Sequence, residues 1–122
     1  MSKEEEKEEP VYSRCGIDLS DITGSDVKLE KFVNSKLMGN DLIDVPFIGK
    51  TTVSQLEKHE IRTLNQLVGV FMSLNLVYAD CVKRMRTICT FNKIHQAVAI
   101  ILYKLDMLGF DVPVLPEGSQ LK

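Results

Sequence analysis

Between Lys93 and Leu108 the chain is apolar on nearly every face of a helix. Ile94, Val98, Ile101, Leu105 and Leu108 form one row at helical spacing, and Ala97, Ile100, Leu102 and Met107 occupy other faces. A helix of this kind is buried on most sides. A chain of 122 residues supports one domain with one core. A second subunit is therefore the expected cover for whatever that core leaves bare.

The pattern ahead of this helix is helical too, with no sustained alternation that would mark a strand. A first helix starts near Ser25 or Asp26, with Leu29, Phe32, Val33 and Leu37 inward and Lys28, Lys31 and Lys36 outward. Met38-Gly39-Asn40 breaks it, and a short helix through Leu42 and Ile43 follows. Another runs from about Lys50 to His59. Thr63 and Gln66 have the spacing of a capping box, opening a helix with Leu64, Leu67, Val68, Phe71 and Leu74 on one face. Gly69 sits inside that helix, where it costs about 1 kcal/mol relative to alanine. That cost implies a close approach, either within the monomer or from a second copy. A helix around Ala79 to Thr87 carries Lys83, Arg84 and Arg86, and Gly109 ends the last helix. His95 is expected to lie exposed on that last helix.

Between the short helix and Lys50 lies Val45-Pro46-Phe47-Ile48-Gly49, read as the hairpin of a helix-hairpin-helix. The first N–H groups of a helix have no intrahelical partner and carry the positive end of the dipole, which suits a phosphate. Gly49 is expected to take the tight turn and admit a sugar-phosphate chain, with Lys50 adding charge and Thr51 and Thr52 adding N–H groups. Gly49-Lys50-Thr51 also matches the end of a P-loop. The first glycine of that motif falls at Asp44, whose carboxylate repels a triphosphate, and no buried strand precedes it.

Net charge is −2, unevenly distributed. Residues 1–25 hold three basic and seven acidic residues, whereas residues 26–122 hold twelve and ten. The first stretch reads as a disordered acidic tail and residues 111–122, with Pro113 and Pro116, as an extended C-terminal tail. There is no apolar leader, and the run from Ala97 to Tyr103 is too short for a bilayer, so no membrane insertion is expected. Three cysteines with no C-x-x-C pair point to free thiols in a reducing compartment. No carboxylate pair, metal cluster or nucleophile–base arrangement appears, which argues against an enzyme, a cofactor and a metal.

Over residues 26–110 these landmarks together resemble the barrier-to-autointegration factor family. Phe32-Val33 and the preceding Lys28, then Met38-Gly39, Ile48-Gly49, Leu56-Glu57, Gly69 with Phe71, and Cys89 with Asn92 fall in register. Departures are Phe47 in place of a hairpin glycine, Ser54 and Gln55 in place of two lysines, Ala97 in place of an arginine, Ser73 in place of an apolar contact, and the absence of tryptophan. The resemblance implies an all-α, SAM-like homodimer of five to six helices that binds and bridges double-stranded DNA without sequence preference. It adds Lys28 and Asn92 to Phe47, Gly49, Lys50, Thr51 and Thr52 as DNA-contacting residues, and spacing alone adds Lys93 as a nearby charge. It places Gly69 and Phe71 at the dimer interface, joined by Ile101 and Leu105 of the last helix. It also implies docking of LEM-domain proteins across the subunit seam, and modification near the N-terminus, for which Ser25 is the candidate phosphorylation site. The expected setting is intracellular: nucleus, cytoplasm, or a viral factory or virion for a viral source. The alternative is a protein–protein adaptor of the same fold that has lost DNA binding, which the missing hairpin lysines favour.

Overall fold

The helical periods resolve into five α-helices and one 3₁₀ turn, with no strand among the described residues. The computed structural model describes residues 16–17, 26–34, 41–91 and 93–114. In chain order the elements are α1 (Asp26–Asn34), the 3₁₀ turn Leu42–Asp44, α2 (Lys50–Glu57), α3 (Leu64–Ser73), α4 (Tyr78–Ile88) and α5 (Ile94–Met107). Among these residues no helix is long and apolar enough to cross a membrane.

Helix α5 is the centre of the fold. Twelve of its fourteen residues are buried, leaving out only His95 and Met107. Phe32 of α1, Leu56 of α2, Leu67 and Phe71 of α3, and Cys81 and Met85 of α4 share its core. The chain itself thus supplies the cover that the apolar pattern had suggested a second subunit would provide. Periodicity reports how much of a helix is covered; it does not report by which chain.

Two segments differ from their expected role as tails. Ile17, inside the stretch 1–25, is buried in the core, and so is Val112 beyond α5. Neither belongs to a run at helical spacing, so periodicity gives no signal for either.

One buried charge joins α5 to α1. Lys104, only 2% exposed, donates from Nζ to the backbone carbonyl of Phe32 at 2.6 Å and reaches that of Val33 at 3.5 Å. Its ammonium also lies 5.5 Å from the centre of the Phe32 ring. Both carbonyls belong to α1, so the ammonium of α5 is hydrogen-bonded to that helix. Burial draws the Lys104 pKa below its ordinary value.

The helix boundaries have specific causes. Thr63 and Gln66 form the expected capping box: the Thr63 hydroxyl accepts from the Gln66 N–H, and the Gln66 carboxamide accepts from the Thr63 N–H. Three helices then end in the same way. Ile61, Leu76 and Phe110 donate their N–H groups to Leu56, Phe71 and Leu105, and the preceding residues donate to Glu57, Met72 and Asp106. This paired arrangement requires a left-handed residue before the closing donor, usually glycine. Gly109 fills that role after α5 (φ 101), but Glu60 (φ 62) and Asn75 (φ 60) fill it after α2 and α3.

A residue with a Cβ pays for that conformation, by about 1–2 kcal/mol for most side chains. Glu60→Gly should therefore raise unfolding free energy by about 1 kcal/mol, and Gly109→Ala should lower it by about as much. Urea denaturation of both variants checks the pair of opposite signs.

Candidate nucleic-acid interface

The hairpin is a four-residue turn anchored at both ends. The Ile48 N–H donates to the Val45 carbonyl at 3.1 Å, and both flanking side chains are fully buried. Pro46 presets the second position, and Phe47 occupies the third with φ 75. A positive φ at the third position is the signature of a type II turn, where glycine is the usual occupant. The left-handed residue is thus Phe47 rather than Gly49. Gly49 is extended (φ −108, ψ −171), a conformation open to any residue, and a Cβ built there meets nothing within 4 Å. The expectation of a glycine-dependent turn at Gly49 is corrected accordingly.

Gly49 is instead the residue that opens α2, and no side chain caps that end. The first bond closing the helix runs from Val53 N–H to the Gly49 carbonyl at 3.0 Å. The N–H groups of Lys50, Thr51 and Thr52 precede that bond and have no acceptor among the described residues. Gly49, Lys50 and Thr51 are exposed, whereas the Thr52 side chain is buried at 4% exposure. Thr52 can therefore offer its backbone but not its hydroxyl.

The start of α5 lies against this hairpin. Lys93, which opens α5, holds its ammonium 5.8 Å from the centre of the Phe47 ring. One turn into α2, the Gln55 carboxamide donates to the Thr90 hydroxyl at 3.2 Å and accepts from the Thr90 N–H at 3.1 Å. This reciprocal pair ties α2 to the segment between α4 and α5, across thirty-five positions of sequence. No local pattern marks such a contact. The structure therefore brings Phe47, Gly49, Lys50, Thr51 and Lys93 to one region. Lys28 lies in α1 with its side chain outside the described residues, and Asn92 and Ser25 lie outside them altogether.

The residues expected at a dimer contact divide sharply. Phe71, Ile101 and Leu105 are 0, 0 and 2% exposed within this chain and so present no surface to a second copy. Gly69 is exposed on α3, and a Cβ added there meets nothing within 4 Å. Tight packing inside the monomer thus does not explain this glycine. One turn further along, Met72 stands 39% exposed on the same helix.

Helix α4 carries Lys83, Arg84 and Arg86 on its exposed side, with Leu74, Asp80, Lys83, Arg84 and Thr87 lining an open surface groove. Arg86 turns toward α5 and reaches the His95 ring, which is half-buried rather than exposed. No group of histidines, cysteines and carboxylates among the described residues could hold a metal ion. Cys81 and Cys89 are free and buried. Burial, reinforced by Asp80, pushes the Cys81 thiol up to about 12, and burial alone pushes Cys89 to about 11. Neither is a usable thiolate nucleophile near neutral pH.

Replacing Gln55 should cost stability even where it adds a favourable charge. Gln55→Lys removes both bonds to Thr90 and should lower unfolding free energy by about 1 kcal/mol, whereas the exposed Ser54→Lys should stay within about 0.5 kcal/mol of wild type. Chemical denaturation of the two single variants measures the difference.

Comparisons with protein-family models, curated proteins and solved structures find no match to this chain.

Proposed function

We infer that this chain binds double-stranded DNA without reading its sequence, with the Val45–Gly49 hairpin and α2 serving as the backbone-gripping half of a helix-hairpin-helix. The observation that carries this reading is the bare start of α2. An exposed, uncapped helix N-terminus lies beside Lys50, with Lys93 across the hairpin. Backbone donors and a positive dipole end suit a phosphate oxygen, and two lysines add counterion release. Phe47 adds a second indication, because a strained backbone held by buried neighbours is common where a turn must present a ligand surface. The sequence landmarks shared with the barrier-to-autointegration factor family point the same way, including homodimerisation, DNA bridging and a nuclear role.

Self-association fits through the exposed face of α3 around Gly69 and Met72, since the last helix is consumed by the monomer core. Gly69→Ala separates the two origins of this glycine. It should raise monomer stability by about 1 kcal/mol, from helix propensity alone. If a second backbone approaches there, the same variant weakens dimerisation, read by light scattering at micromolar concentration. A monomeric wild type removes the dimer from the proposal.

The adaptor reading keeps one specific support: Gln55, aligned with a family lysine, is engaged in holding the fold together. Gly49→Asp discriminates the two. Aspartate is a favoured helix cap and its charge suits the N-terminal dipole, so the fold should gain up to about 1 kcal/mol. The same carboxylate occupies the phosphate position, so electrophoretic shifts of unrelated duplexes should weaken alike. Lys50→Ala should reduce the salt slope of binding by about one. A stabilised Gly49→Asp protein with undiminished DNA affinity transfers the case to the adaptor.

A further inference from the structure

The Arg86–His95 contact lies between α4 and the start of α5. Arg86 Nη2 stands 2.9 Å from His95 Nε2. A guanidinium only donates, so this hydrogen bond requires an unprotonated Nε2. His95 is the second residue of α5, where the positive end of the dipole also disfavours an imidazolium. The Tyr78 ring flanks it with centroids 6.4 Å apart. That phenol is neutral, because burial pushes it up to about 12 against the opposing influence of Arg86. From α4 the histidine therefore faces one cation and one neutral ring. Its own helix contributes Lys93 two positions earlier, and no carboxylate is paired with it among the described residues. Burial first, and Arg86 second, hold its pKa below the ordinary 6.5.

The pair and the proposed DNA surface share the first turn of α5. Lys93, two positions before His95, is the residue whose ammonium lies over Phe47 of the hairpin. We propose that Arg86 and His95 form a proton-gated store of positive charge, in which proton uptake by His95 expels the Arg86 guanidinium and leaves an imidazolium and a free guanidinium, where the end of α4 meets the start of α5, for a DNA phosphate. This rests on the DNA-binding reading above and adds a regulation to it. DNA then binds together with a proton, and affinity rises as pH falls. In the free protein the sign is opposite for folding. The unfolded chain takes the proton more readily than the folded one, so the stability contribution is complete above about 6.5 and is lost as pH falls.

The test uses full-length protein carrying His59→Gln, which leaves His95 as the sole histidine. Titration of the free protein by NMR should place His95 below its ordinary value, and Arg86→Gln should move it upward. A His95 titration that Arg86→Gln leaves unmoved overturns the proposal. Anisotropy of a labelled duplex at fixed salt, between about pH 7.5 and about pH 5.5, should show tightening, about tenfold for each unit by which DNA raises the histidine pKa. His95→Gln should flatten that dependence. Persistence of the same dependence in His95→Gln overturns the gate and leaves DNA binding standing. Absence of duplex binding at both pH values, with the free-protein titration as expected, overturns the DNA-binding reading and the gate with it.

Discussion

A helix surrounded on all sides leaves no exposed face for its polar side chains, yet α5 carries Gln96, Lys104 and Asp106 into the interior. The arrangement of the domain follows from that conflict. Apolar residues such as Ile100, Ile101 and Leu102 each gain roughly 1.5–3 kcal/mol by leaving water. An unsatisfied ammonium in the same place would cancel several of them. Lys104 avoids that cost by donating to backbone carbonyls of α1. The position of α1 is thereby tied to the reach of a lysine from α5.

The helices were legible in the sequence because their apolar periods are long, and the Thr63–Gln66 cap and the Gly109 stop because each has a local chemical signature. A turn does fall between Val45 and Ile48, but its left-handed residue was not the one expected. Glycine draws attention at a turn, whereas the left-handed residue is Phe47, held there by buried Val45 and Ile48 on either side. The helix ends at Glu60 and Asn75 escaped for the same reason, since non-glycine residues occupy glycine's conformation. Non-local pairs such as Gln55 with Thr90 and Arg86 with His95 leave no trace in spacing. They depend on how helices dock, which a single chain's pattern does not encode.

The candidate interface is assembled from separate parts of the chain for a mechanical reason. The start of α2 is fixed by a turn packed into the core, while the start of α5 is fixed by the core helix itself. Gln55 and the Phe47–Lys93 contact join the two at the surface. Their relative position is therefore about as rigid as the interior, and neither end depends on a long loop for its placement.

The two interior thiols give the domain an intrinsic chemical clock. Cys81 lies in the first turn of α4 and Cys89 just past its end, and both are buried with their ionisation strongly suppressed. An alkylating reagent at neutral pH has almost no thiolate to attack while the helices remain docked. Modification must wait for α4 to separate from α5. The rate at which these cysteines disappear therefore reports how often the core opens, with no label introduced and no residue changed.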